Sequence, residues 1–226
     1  MYDTYYLSRL SFEILLSLTA KDRILVPTNN VLMSAPRDDV YMQLGAMVRN
    51  GFLHFDETEQ KITVEPEILE AFKQIAASKG IVVLRSQLKS GGMICLYCAE
   101  TYVSVEFSAL RPDRVKLSFF EDELLSEYLN DIPWLSGEDE LFDEEIKQPQ
   151  EDSAESRNGL FLSAKFYVGA AEDTQEKFLV LNENGKKKLL LRNSNCSCSS
   201  RDYRIEKLIE KLRDFFEKSL KEESDL

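Results

Sequence analysis

Residues 81–119 read IVVLRSQLKSGGMICLYCAETYVSVEFSALRPDRVKLSF. Four runs rich in β-branched and aromatic residues stand out: Ile81–Leu84, Met93–Tyr97, Tyr102–Phe107 and Val115–Phe119. Ser-Gly-Gly, Ala-Glu-Thr and Arg-Pro-Asp separate them, and such residues make turns. Connections this short join antiparallel neighbours, because a parallel crossover needs a dozen residues or more. The stretch therefore predicts an antiparallel meander. A helix follows, started by Glu121-Asp122, bearing Leu124, Leu125, Tyr128, Leu129 and Ile132, and closed by Pro133.

The same order returns downstream. Leu160–Tyr167 reads as a strand, and Lys177–Leu181 and Lys187–Leu191 flank Asn184-Gly185, the pair that best fits a tight hairpin. A Ser/Asn/Cys loop then leads to a last helix, Tyr203–Leu220, with Ile205, Leu208, Ile209, Leu212, Phe215 and Phe216 on one side. Residues 80–132 and 160–220 thus form a repeat of pattern without residue identity. The expected fold is α+β: an antiparallel sheet built from two pseudo-repeated halves.

Upstream, Leu10–Leu18 is apolar enough for a largely buried helix. Asp38 is a plausible N-cap for a second helix, with Val40, Leu44, Met47 and Val48 at helical spacing and Asn50-Gly51 as its stop. Phe52, Leu53 and Phe55 lead through a polar turn to the short strand Lys61–Val64, and Pro66 begins a helix carrying Ile68, Leu69, Phe72, Ile75 and Ala76. This is the local grammar of a winged helix. The division expected is a helical winged-helix-like unit (1–79), a first meander and helix (80–133), an acidic loop (134–158) and a second hairpin unit and helix (159–226), together one body.

Charge weighs against the nucleic-acid use of that grammar. The chain carries −12, of which −7 falls within residues 136–157, where nine acids face two bases. The would-be recognition helix has one cation, Arg49, at its far end, and the would-be wing holds three acids against one lysine. Duplex readers need Arg and Lys on phosphates and base edges. In this reading Gly51–Phe55 is core.

Catalytic chemistry has little to stand on. His54 is the single histidine, Gly91-Gly92 is only a turn, and no nucleophile elbow or spaced metal-ligand cluster occurs. Cys95 and Cys98 lie an odd step apart along a strand, so their thiols point to opposite faces, and Cys196-Ser-Cys198 lacks a nearby histidine. No metal, cofactor or catalytic residue is expected. No apolar run approaches the roughly 18 residues that span a bilayer, and the first residues lack a basic leader, so a cytoplasmic location is expected.

Apolar residues do stand around the acidic stretch: Ile132, Trp134, Leu135, Leu141, Phe142 and Ile146. Two fates are open to them. They dock on their own sheet, or Trp134, Leu135, Leu141, Phe142 and Ile146 form part of a partner site.

The helix Met42–Leu53 with its Gly-Phe-Leu end, then ITVEPEILEAFKQIAASKGIVVLRS (residues 62–86), then the meander closing in EDELLSEYLNDI (residues 121–132), resembles the EspG-type chaperones of the type VII (ESX) secretion system. The resemblance spans residues 10–132 and loosely the remainder. It implies a cytosolic, non-enzymatic protein that holds a small helical-hairpin export substrate and keeps it soluble. A sheet with helices on one side would leave a face free for an amphipathic helix. The chain departs from the family pattern in its shortness and its acidic insertion. The competing class is a winged-helix transcriptional regulator or adaptor; an enzyme of unrecognised type is a third.

Overall fold

The computed structural model describes residues 3–19, 31–86, 92–136, 160–168, 177–183, 186–192, 198–202 and 204–221. In chain order the strands are β1 (Asp3–Ser8), β2 (Leu53–Asp56), β3 (Lys61–Val64), β4 (Gly80–Ser86), β5 (Gly92–Cys98), β6 (Tyr102–Ser108), β7 (Arg114–Phe120), β8 (Leu160–Val168), β9 (Lys177–Glu183), β10 (Lys186–Arg192) and β11 (Cys198–Asp202). The helices are α1 (Arg9–Thr19), α2 (Val31–Ser34), α3 (Arg37–Arg49), α4 (Pro66–Ala77), α5 (Leu125–Asn130), α6 (Pro133–Ser136) and α7 (Ile205–Lys221).

Among the described residues nine strands form one antiparallel sheet in the order β1-β7-β6-β5-β4-β8-β9-β10-β11, and β2 and β3 form a separate ribbon. The order explains the repeat. β4–β7 and β8–β11 are two four-stranded meanders joined through their first strands, β4 and β8, which pair antiparallel from Gly80↔Val168 to Ser86↔Leu162. Each meander is followed by helix, α5 and α6 after the first and α7 after the second. The fold is α+β, as the two runs of period-two sequence predict.

Both faces of the central strands are covered. On one, α1, α3 and α4 bury Phe12, Ile14, Leu15, Met47, Ile68, Phe72 and Ile75 against Ile81, Cys95, Tyr97, Val103, Val105 and Leu117. On the other, α5, α6 and α7 bury Leu125, Tyr128, Leu129, Leu208, Leu212 and Phe216 against Val82, Leu84, Ile94, Leu96, Leu162 and Phe166. The expectation of one open face therefore fails over these strands. The cause is visible in β5, where Ile94 to Cys98 are all buried, an unbroken run that a half-solvated strand would not tolerate. Gly80 marks how closely α7 sits: a Cβ there would lie 3.0 Å from Phe216 and from the Ser219 hydroxyl.

Local chemistry sets the boundaries. The Ser8 hydroxyl accepts the Ser11 amide at 3.0 Å, the N-cap-to-N3 bond that starts α1. Leu10–Leu18 is helical as expected, but only its first half is deeply buried, and Leu18 is half exposed. α3 starts after Pro36 without a side-chain cap, so Asp38 is a first-turn acid favoured by the helix dipole rather than the cap. Gly51 takes φ +75°, the left-handed stop expected of Asn50-Gly51. Pro66 opens α4. β10 pairs Lys186 with Glu183 across Asn184-Gly185, which lie outside the described residues; of the expected Ser/Asn/Cys loop, residues 193–197 also lie outside them, while Cys198–Asp202 is strand β11 rather than loop.

Candidate protein-binding surface

The winged-helix-like unit keeps part of its apolar surface uncovered. After Gly51 the Phe52 amide donates to the Met47 carbonyl at 2.9 Å, and the Glu65 amide to the Phe52 carbonyl at 3.1 Å, which ties the base of the ribbon to the end of α3. In the ribbon Leu53 pairs with Val64, and Phe55 with Ile62. Residues two apart share a face, so these four side chains make one apolar strip. Its inner half is covered: Leu53 is buried and Val64 half-buried. Its outer half runs past the core, leaving Phe55 52% and Ile62 45% exposed. The expectation that Gly51–Phe55 is wholly core thus holds for Leu53 and fails for Phe55.

α3 repeats the theme. Met47 is buried, but Tyr41, Met42 and Val48 are exposed, so apolar residues lie on both sides of this helix. Tyr41, Gly45 and Val48 fall at i, i+4 and i+7 on one stripe. Val48, expected on the buried stripe, lies outside it. The signal was in the sequence: a helix with Tyr-Met on the side away from Leu44 and Met47 has apolar surface that its own core does not use.

The same unit is a poor fit to a duplex. α3 begins at Arg37, one residue earlier than the sequence pattern predicts, so Arg37 and Arg49 balance Asp38 and Asp39 along the helix; the excess of acid lies in the ribbon, where Lys61 stands beside Asp56, Glu57 and Glu59. His54 is exposed and pairs with Glu65.

The residues singled out around the acidic stretch divide. Trp134 and Leu135 lie in the core, 7% and 0% exposed, with Ile132, Leu129 and the buried side of α7. Leu141, Phe142 and Ile146 lie outside the described residues, as does the acidic run itself.

Cys95 and Cys98 are both buried, one in each core layer, so the odd spacing separates them as expected. Burial pushes the Cys95 thiol up to about 12 and the Cys98 thiol up to about 11. They stay protonated at neutral pH, which suits packing rather than metal binding or nucleophilic attack. Among the described residues no three His, Cys, Asp or Glu side chains cluster to hold a metal. No helix among them is long and apolar enough to cross a membrane.

No protein-family profile matches the chain, and no curated protein matches it. Solved structures do. The type VII secretion system chaperone EspG5 of Mycobacterium tuberculosis, solved in complex with a PE25-PPE41 dimer, superposes with a TM-score of 0.57 over 96% of this chain and 96% of its own. Identity is 12%, so what the two share is the fold. The resemblance read from residues 42–132 has its counterpart there, at the level of architecture.

Proposed function

We propose that this chain is a cytosolic chaperone or adaptor that grips another protein, a small helical-hairpin substrate of type VII secretion being the kind of partner it fits. The observation that carries the reading is the whole-chain likeness in fold to a secretion chaperone, covering both proteins nearly end to end. The uncovered strip of the ribbon and the outer side of α3 support it. Exposed Phe55, Ile62, Tyr41 and Met42 offer apolar area that burial against an amphipathic helix would stabilise. The reading needs no cofactor and no catalytic residue.

The winged-helix regulator reading draws on the same α3 and ribbon. It predicts tight, salt-sensitive DNA binding, which the acids of the ribbon oppose. The two are separated by capture of the tagged chain from its native cells, in parallel with a low-salt filter-binding assay. Stoichiometric recovery of a helical secreted protein, lost with Phe55→Ser/Ile62→Ser, is expected. Duplex binding with no such protein would replace the chaperone reading by the regulator.

A further inference from the structure

Among the described residues β1 is one end of the nine-stranded sheet, paired with β7 alone. Its registration with β7 runs through six residues without a bulge, from Asp3↔Phe119 to Ser8↔Arg114. Natural edges are blunted by lysine, proline or bulges. Asp-Thr-Tyr-Tyr-Leu-Ser has no lysine, proline or bulge.

The direction of its free backbone groups follows from one bond. The Arg9 amide donates to the Asp113 carbonyl at 2.8 Å, directly beyond Ser8↔Arg114. That makes Arg9–Asp113 a hydrogen-bonded pair, and such pairs alternate along an antiparallel ladder. Leu7 and Tyr5 therefore bond to β7, while Tyr6 and Thr4 turn N–H and C=O outward, and Ser8 its N–H alone, its C=O being taken by the first turn of α1.

A cleft of about 320 Å³ lies along that edge, lined by Tyr6, Leu7 and Ser8 together with Gln43, Asn50 and Phe52. Successive strand residues point to opposite faces, so what three in a row share with one cleft is the strand's edge. A second cleft of about 540 Å³ lies on the α6 side and shares Tyr6 and Arg114 with the first. Its walls carry Arg111, Arg114 and Lys116, with Glu106 and Asp131 opposite. Glu106 is matched by Lys116 at 3.6 Å. Among the described residues Arg111 and Arg114 have no ion-pair partner, in a chain of net charge −12.

We propose that the outer edge of β1 receives an extended strand of a partner protein with carboxylates at alternate positions. The strand bonds the N–H and C=O of Thr4 and Tyr6 and the N–H of Ser8 through its backbone, as peptides do in β-augmentation. Every second side chain enters the larger cleft, where Arg111 and Arg114 take its carboxylates. The intervening side chains face Gln43 and Asn50. This surface meets α3 at Gln43 and Asn50 but includes none of Tyr41, Met42, Phe55 and Ile62, so substitutions in either set test one reading apart from the other.

The probe is an end-blocked nonapeptide alternating glutamate with threonine, followed by fluorescence anisotropy on the full chain, with hydrogen exchange of the β1 amides. Binding is expected at about 50 mM salt and weakening at about 500 mM, where screening is nearly complete beyond contact. Arg111→Glu/Arg114→Glu is expected to weaken binding by about tenfold or more. Tyr6→Pro removes an outward N–H and no native bond, so it is expected to abolish binding at unchanged thermal stability, while Tyr6→Phe retains it. The Tyr6 amide should exchange freely in the protein alone and become protected with peptide, the Leu7 amide being protected in both. The proposal is overturned by absence of binding at low salt, by undiminished binding to Tyr6→Pro, or by a Tyr6 amide already protected in the free chain. The last result would mean that the chain's own acidic residues fill the edge.

Discussion

Replacing Phe55 and Ile62 together by serine separates a partner surface from a core. Leu53, two residues from Phe55 on the same ribbon face, is 1% exposed, whereas Phe55 and Ile62 are 52% and 45% exposed. Truncating a fully buried leucine to alanine costs about 2–5 kcal/mol. Half-exposed side chains at a ribbon tip contribute far less, and surface changes typically stay within about 0.5 kcal/mol. Urea denaturation is expected to put Leu53→Ala at least about 2 kcal/mol below wild type and the double serine variant within about 1 kcal/mol of it. Binding reverses the ranking. Covering the exposed half of each side chain is worth about 1 kcal/mol, so losing both weakens a partner by about 2 kcal/mol, roughly thirtyfold in Kd. Isothermal titration with the captured partner reads that change. A double variant that unfolds as readily as Leu53→Ala, or that binds the partner undiminished, would refute the assignment of this strip.

Two further outcomes follow from the packing. Burial holds the thiols of Cys95 and Cys98 at about 12 and about 11 in the fold against 9.0 for an ordinary thiol, so above pH 9 the unfolded chain releases protons that the folded chain keeps. Stability from this source is whole below pH 9 and falls as pH rises, by at most about 1.4 kcal/mol per pH unit for each thiol. Between pH 8 and pH 10 the wild type should lose about 1–2 kcal/mol more than Cys95→Ala/Cys98→Ala in parallel denaturant titrations, most of it from the fully buried Cys95; equal losses would contradict the burial. Gly80→Val forces methyl groups onto Phe216 and Ser219, already 3.0 Å from a Cβ position, and is expected to cost about 1–3 kcal/mol by calorimetry. An unchanged melting temperature would mean that α7 does not close over β4 as described.

What the residues disclosed in advance, and what they hid, has a physical pattern. β4 to β7 lie within one residue or two of where period-two apolar runs and turn chemistry put them, because each strand buries its own side chains. The two strands that were not anticipated, β1 and β11, are the two ends of the sheet. Cys-Ser-Ser-Arg-Asp in β11 has no apolar alternation to report, and its strand form shows as register with β10, Ser200 opposite Leu190. β1 was open to a closer look: Thr-Tyr-Tyr has high strand propensity, and Ser8 three residues before Ser11 is a helix-start signal. The covering of both sheet faces was also there to read in Met-Ile-Cys-Leu-Tyr-Cys, which alternates nothing. Exposure of Phe55 was not, since an apolar pair reads alike whether a core or a partner covers it.

The central claim is that this fold holds another polypeptide in soluble form. The direct measurement is co-expression of the captured helical partner with and without the chain, followed by light scattering of the soluble fraction. The account predicts a partner that precipitates alone and emerges with the chain as a complex of fixed stoichiometry, lost with the Phe55/Ile62 double variant. A partner equally soluble without the chain, or a chain that elutes alone beside it, would contradict the account.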